Sequence, residues 1–192
     1  NGSFWQFYEN EKLAIKGNYI MGTPKGVWRY YFENGDLKLE GRLQNKDDGY
    51  WSYYYQNGQK MKEGQLNQQQ EEGHWIYYYE NGSVRKEGDY LDGIKQGRWD
   101  YFFEDSVTKA EAVFENGEGF YKEYYYDGYL KMEGPIMNGQ SEGIWTYYYK
   151  EGGIKAKGLE LEGKKNGHWS YFYKNGSKSS EGTYTNSVKE GE

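Results

Sequence analysis

A chain of 192 residues in which an aromatic residue is followed thirteen positions later by glycine in seven of eight copies has few ways to fold. The pairs are Phe4/Gly17, Trp28/Gly41, Trp51/Gly64, Trp75/Gly88, Trp99/Ala112, Tyr121/Gly134, Trp145/Gly158 and Trp169/Gly182, and only the fifth replaces the glycine. The opening aromatics recur every 22 to 24 residues. A period of that size marks one supersecondary unit stacked on copies of itself. The copies run 2–25, 26–48, 49–72, 73–96, 97–118, 119–142, 143–166 and 167–190, one repeat domain over 1–192. The chain begins inside a copy and stops at Glu190-Gly191-Glu192, where a ninth would open. A natural protein that extends at one or both ends is the expectation.

Asn-Gly recurs between aromatic and alternating runs, at Asn34-Gly35, Asn57-Gly58, Asn81-Gly82 and Asn175-Gly176. It is a strong hairpin signal, because a type I′ turn needs positive φ at both central residues. A two-residue turn sets Glu33 opposite Asp36, Phe32 opposite Leu37, Tyr30 opposite Leu39 and Trp28 opposite Gly41. One face then carries Trp28, Tyr30, Phe32, Leu37, Leu39, Gly41 and Leu43, and the other Arg29, Tyr31, Glu33, Asp36, Lys38 and Glu40. Glycine opposite tryptophan gives the ring a surface without Cβ to lie on. The step from each glycine to the next opening glycine varies, which places length changes in return loops such as Asn67–Glu72. The fold class predicted is all-β: a tandem hairpin array of about sixteen antiparallel strands in one elongated meander sheet, twisted and curled with the Trp-rich face inside.

Aromatics make up 20% of the chain, with 24 Tyr, which argues against disorder although mean hydropathy is −1.18. There is no Cys, hence neither a disulfide framework nor a thiolate metal site. The net charge of −6 disfavours a nucleic-acid binder and contact with anionic membranes.

The pattern Gly-x-Trp-x-Tyr-Tyr-Tyr-x-Asn-Gly, best seen in Trp75–Gly82 and Trp145–Tyr149, resembles the MORN repeat family, most closely its bacterial, YwqK-like variant. The resemblance covers nearly the whole chain. It implies β-hairpin arrays, protein–protein contacts, at times membrane association, and for bacterial members an antitoxin role. It is interrupted at Ala112, at Tyr121 with Glu123 on the inward face, and in the ragged first copy. Tyr-Tyr-Phe before Asn-Gly is also similar to choline-binding and clostridial toxin repeats, which implies a sugar-binding surface.

Candidate chemistry is sparse. His74 and His168 lie four copies apart, too far in sequence for a shared metal site or dyad. Glu40, Glu63, Glu87, Glu111, Glu133 and Glu181 form a carboxylate row whose simplest role is ion pairing with neighbouring Lys and Arg. The residue three after each opener forms an aromatic stripe away from the Trp face: Phe7, Tyr31, Tyr54, Tyr78, Phe102, Tyr124, Tyr148 and Phe172. Cross-strand packing against Ala14, Lys38, Met61, Arg85, Lys109, Lys131, Lys155 and Ser179 explains it in part, and recognition of a partner is the functional alternative. The structural set is Trp28, Gly41, Trp51, Gly64, Trp75, Gly88, Trp99, Trp145, Gly158, Trp169 and Gly182. The expected function is a non-enzymatic scaffold presenting an aromatic and charged surface to a protein partner, with no cofactor and no metal. The alternatives are an antitoxin neutralising a cognate toxin and a carbohydrate-binding module. Open strand edges make end-to-end self-association an expectation. Location at a bacterial cell surface or periplasm is favoured over the cytoplasm.

Overall fold

The computed structural model describes residues 1–45 and 48–191; Glu192, at the expected ninth opening, lies outside the described residues. The fold is all-β, and its strands follow one another as antiparallel neighbours. Its residues group into two compact units, Asn1–Lys95 with Glu104–Ser106, and Gln96–Phe103 with Val107 onward. The first holds β1 (Gly2–Phe7), β2 (Leu13–Ile20), β3 (Thr23–Tyr31), β4 (Leu37–Leu43), β5 (Gly49–Tyr54), β6 (Lys60–Asn67), β7 (Gln70–Tyr78) and β8 (Val84–Leu91). The second takes up within β9 (Ile94–Phe102) and continues through β10 (Thr108–Glu115), β11 (Glu118–Tyr124), β12 (Leu130–Met137), β13 (Gln140–Ser141), β14 (Gly143–Tyr148), β15 (Ile154–Leu161), β16 (Lys164–Phe172), β17 (Lys178–Thr185) and β18 (Val188–Glu190). Among the described residues eighteen strands appear, where about sixteen are expected. The opener strand of copy seven is split into β13 and β14, and β18 begins another.

The Asn-Gly bends are not the type I′ turns that the dipeptide predicts. Only the glycine has positive φ, as at Gly35 (97°) and Gly58 (83°). The Phe32 N–H donates to the Asp36 carbonyl at 2.8 Å, and the Gly35 N–H to the Phe32 carbonyl at 2.9 Å. Glu33-Asn34-Gly35 is thus a three-residue loop closed by a left-handed glycine. Alone it would slip the register by one residue. A β-bulge at Lys38, between the pairs Tyr30↔Leu39 and Tyr31↔Leu37, restores it. Trp28 faces Gly41, Arg29 faces Glu40 and Tyr30 faces Leu39 as expected, but Phe32 faces Asp36 instead of Leu37, and Glu33 lies in the loop. The same bulge recurs after the second residue beyond the opener in other copies.

Two positive φ angles in succession occur instead at the return connections: Met21-Gly22, Gln68-Gln69, Asp92-Gly93, Asn116-Gly117, Asn138-Gly139, Glu162-Gly163 and Asn186-Ser187. The polar run Asn67–Glu72 is therefore not a loop. Only Gln68-Gln69 turn, while Gln70–Glu72 belong to β7. The variable step also has a different origin from the one expected. Gly64↔Trp75 is followed by Gln65↔Glu72, so Gly73 and His74 are bulged out. In the short copy, pairing runs unbroken from Ala112↔Tyr121 to Glu115↔Glu118. A bulge is removed and the turn is kept. Gly73 has φ 64°, a left-handed value that the bulge needs.

Five opening indoles lie on the glycine of the preceding hairpin, not on the glycine of their own. A Cβ built on Gly17 would fall 2.2 Å from the Trp28 ring, on Gly41 2.5 Å from Trp51, on Gly64 2.3 Å from Trp75, on Gly134 2.5 Å from Trp145, and on Gly158 2.4 Å from Trp169. The indole N–H then donates to the next carbonyl of that same strand: Trp75 to Gln65 (3.0 Å), Trp145 to Pro135 (3.0 Å) and Trp169 to Leu159 (2.9 Å). Trp28 is an exception, its buried Nε1 having no partner among the described residues. The interaction thus joins one hairpin to the next. Burying an indole removes roughly 150–250 Å² from water, about 4–6 kcal/mol of gross hydrophobic stabilisation. Ala112 and Tyr121 explain each other, because the smaller phenol of copy six is the opener that follows the one slot bearing a methyl. Glu123, on the inward face, is satisfied by Lys131 at 2.6 Å and the Tyr121 hydroxyl at 3.0 Å.

Gly158→Ala should therefore lower stability by about 1–3 kcal/mol, the range for overpacking a core. Ala112→Gly should change it by less than about 1 kcal/mol. Urea unfolding of the two variants checks the difference; equal effects would contradict the close approach at Gly158.

Candidate interaction face

On the face opposite the indoles, the stripe and the carboxylate row are one network. The Tyr78 hydroxyl donates to Glu63 at 2.7 Å, Tyr124 to Glu111 at 2.6 Å and Tyr148 to Glu133 at 2.6 Å. Of the stripe, Phe7 is exposed while Tyr31, Tyr54, Tyr78, Phe102, Tyr124, Tyr148 and Phe172 are half-buried. Their cross-strand partners differ from those expected by one residue. Tyr31 faces Leu37, Tyr54 faces Lys60, Tyr78 faces Val84, Phe102 faces Thr108, Tyr124 faces Leu130, Tyr148 faces Ile154 and Phe172 faces Lys178. The residues expected there are the ones the bulge displaces.

The carboxylates are engaged by cations as well. Arg29 lies 2.8 Å from Glu40, Lys60 2.7 Å from Glu63, Arg98 3.0 Å from Glu111, and Lys178 2.7 Å from Glu181. Burial pushes the Glu63 carboxyl up, but hydrogen bonds from Lys60, Tyr78 and Ser52 outweigh it and hold the group below the usual range. His74 lies 3.1 Å from Asp89, and His168 3.3 Å from Glu181. Among the described residues no three metal-binding side chains gather into a site.

Both edges of the array are stitched from copy to copy. At the bends, Asn57 Nδ2 donates to the Glu80 carbonyl at 3.0 Å, and the Tyr55 hydroxyl to the Tyr78 carbonyl at 2.9 Å. Tyr125 and Tyr149 repeat the second bond onto Tyr148 and Phe172. At the return turns, the residue before an opening glycine accepts a turn N–H twenty residues on: Asp48 from Gln68, Glu72 from Asp92, and Glu142 from Glu162. The signal for this, a recurrent Asp, Glu, Gln or Asn before the opening glycine, stands in the sequence.

Two features of this face escaped the sequence reading. An apolar row occupies the slots before the opener and after the glycine. In the second unit Val113 faces Phe120, which faces Pro135, and Ile144 faces Leu159. Val113, Phe120 and Ile144 are 62%, 46% and 51% exposed. In the first unit the row is mixed, Val27↔Arg42 and Tyr50↔Gln65. The second feature is a pair of clefts that share Tyr54. One, of about 570 Å³, is lined by Phe32, Lys38, Tyr53–Asn57, Met61 and Glu80. The other, of about 190 Å³, is polar and includes Glu40, Arg42, Tyr50 and Ser52.

Burial, followed by the bond to Glu133, pushes the Tyr148 phenol up to about 12; burial and Glu111 do the same for Tyr124. The ordinary value is 10.0, so between that and 12 the folded chain keeps protons that the unfolded chain loses. This contribution is complete below pH 10 and lost as pH rises to 12. Thermal midpoints should fall across that window, and less steeply for Tyr124→Phe/Tyr148→Phe. A slope identical in wild type and variant would refute the assignment.

The repeat seen in this geometry has a counterpart among known proteins. The MORN repeat variant matches residues 24–45, 47–68, 71–92 and 165–186. No curated protein matches the chain. At these four places the chain is similar to MORN repeats of the variant type.

Proposed function

We propose that the protein is a non-enzymatic repeat scaffold and that it docks a protein partner on the face opposite the indoles. The observation that carries this reading is the row Val113, Phe120 and Ile144, left exposed on a face where carboxylates such as Glu111 and Glu133 are engaged by Arg98 and the stripe phenols. Exposed apolar side chains rimmed by polar ones mark interaction sites, and interface cores are poor in charge and rich in aromatics. The fitting partner presents an apolar patch rimmed by both signs of charge; a toxin neutralised by this chain is one protein of that kind. The triple variant Val113→Ser, Phe120→Ser, Ile144→Ser removes only exposed groups and should keep its thermal midpoint. A partner captured by the wild type should be retained about tenfold more weakly by the variant or lost. Equal capture would remove this row from consideration.

A specific observation favours a second reading. The cleft of about 570 Å³ sets Phe32, Tyr53, Tyr54 and Tyr55 beside Lys38, Asn57 and Glu80, rings and polar groups of the kind that hold a sugar. A glycan array probed with the wild type and with Tyr54→Ser should show signals that the variant loses; a blank array counts against the reading.

A further inference from the structure

On the Trp-lined face, copy three shows how the gap between successive tyrosines is filled. Lys62 lies between Tyr53 and Tyr77 across the strands. Its ammonium stands 4.8 Å from the Tyr53 ring, 4.9 Å from Trp75 and 5.8 Å from Tyr77. Glu71 completes the arrangement, 3.5 Å from that ammonium. One cation and one carboxylate share three rings.

Copy seven keeps the rings and changes the charges. Tyr147 and Tyr171 flank Ala156, which takes the slot of Lys62, and Lys165 takes the slot of Glu71. Lys165 reaches over the rings, 4.4 Å from Trp169 and 5.1 Å from Tyr171, and donates to the Tyr171 hydroxyl at 2.9 Å. Among the described residues no carboxylate pairs with it. Its cross-strand neighbour Glu160 is only 6% exposed and accepts from the Tyr147 hydroxyl at 2.6 Å and from Ser141. The side chain truncated at Ala156 leaves a cleft of about 240 Å³, lined by Tyr147, Lys155, Ala156, Lys165, Trp169 and Tyr171. Lys155 and Lys165 against Glu160 leave one net positive charge there. Copy three pairs its ring-bound ammonium with a carboxylate, Glu71; in copy seven the carboxylate, Glu160, is bound to hydroxyl groups instead.

We propose that this cleft binds an organic carboxylate with a short apolar body. The carboxylate takes a charge-assisted hydrogen bond from Lys165. The apolar part lies over Ala156 between Tyr147 and Tyr171, where rings supply the walls. The site is on the opposite face from the apolar row and does not depend on it. Either a free small carboxylate or a glutamate side chain of a polypeptide carries this chemistry.

The test titrates the whole chain with butyrate and, separately, with an end-blocked Leu-Glu-Leu peptide, following the Trp169 indole N–H by nuclear magnetic resonance. Saturable shifts are expected. Ala156→Leu, which installs the residue found at Leu39 in the same slot of copy two, should abolish them. Lys165→Met should weaken binding about tenfold or more, while Lys62→Met leaves it unchanged. An unaltered thermal midpoint shows that each variant folds. Shifts with butyrate assign the site to free carboxylates; shifts with the peptide alone assign it to a glutamate side chain. No saturable shift with either probe, or binding that survives both Ala156→Leu and Lys165→Met, overturns the proposal.

Discussion

An indole ring resting on a backbone that lacks a side chain is the contact from which the rest of this structure follows. Gly41 is paired in register with Trp28 on one side and Trp51 on the other. Only the second ring lies on it. Because that ring comes from the next hairpin, a hairpin alone would leave its indole without a floor. Cohesion is therefore a property of neighbours, as expected where each unit cannot bury its own apolar face. A ring that also donates to a carbonyl beyond the glycine fixes both the distance and the sliding position of the two strands. The spacing of thirteen belongs to the other pairing, Trp28 with Gly41 inside one hairpin, which puts each glycine in register for the ring of the hairpin that follows.

The hairpins and the register were legible because period and glycine placement are local patterns. The register came out right at Trp28 and Gly41 although the turn did not. A loop one residue longer than expected is offset by a bulge one residue later, and a sequence shows only their difference. The return connections were misread for a related reason. Gln68-Gln69 carry positive φ without glycine, so no residue announces a turn tighter than the polar run around it. The choice between Trp28 and Trp51 as cover for Gly41 was not legible at all. Both are in register with it, and only the three-dimensional arrangement of the strands selects one.

The stripe was legible as a pattern and only half legible as chemistry. Alternation puts Tyr78 on the same face as Glu63, but their hydrogen bond spans fifteen residues between different hairpins. With the phenols and carboxylates answering one another, the polar rows of this face are largely occupied by its own groups. The groups left over are the apolar row of the second unit and the clefts around Tyr54, on which the proposed docking rests. Neither repeats along the chain. Function on a repeating lattice resides in the positions that vary.

Departures from the lattice sort by whether a neighbour answers them. Ala112 is answered by Tyr121, and Glu123 by Lys131, so these are exchanges that preserve the packing. Ala156 is different. Truncating that slot removes a cation from between two tyrosines, and the lysine that appears across from Glu160 turns to the rings while Glu160 turns to hydroxyl groups. Two opposite charges placed as cross-strand neighbours would ordinarily attract. Their divergence follows from the local donors. The Tyr147 and Ser141 hydroxyls bind Glu160 in a buried position, and the electron-rich faces of Trp169 and Tyr171 hold an ammonium without a counter-ion. A cation held by rings and one phenol hydroxyl is left without a counter-ion, and the hollow over Ala156 lies beside it. Recognition of a carboxylate at this point needs no rearrangement of the chain, since the donor is already placed and the space is already open.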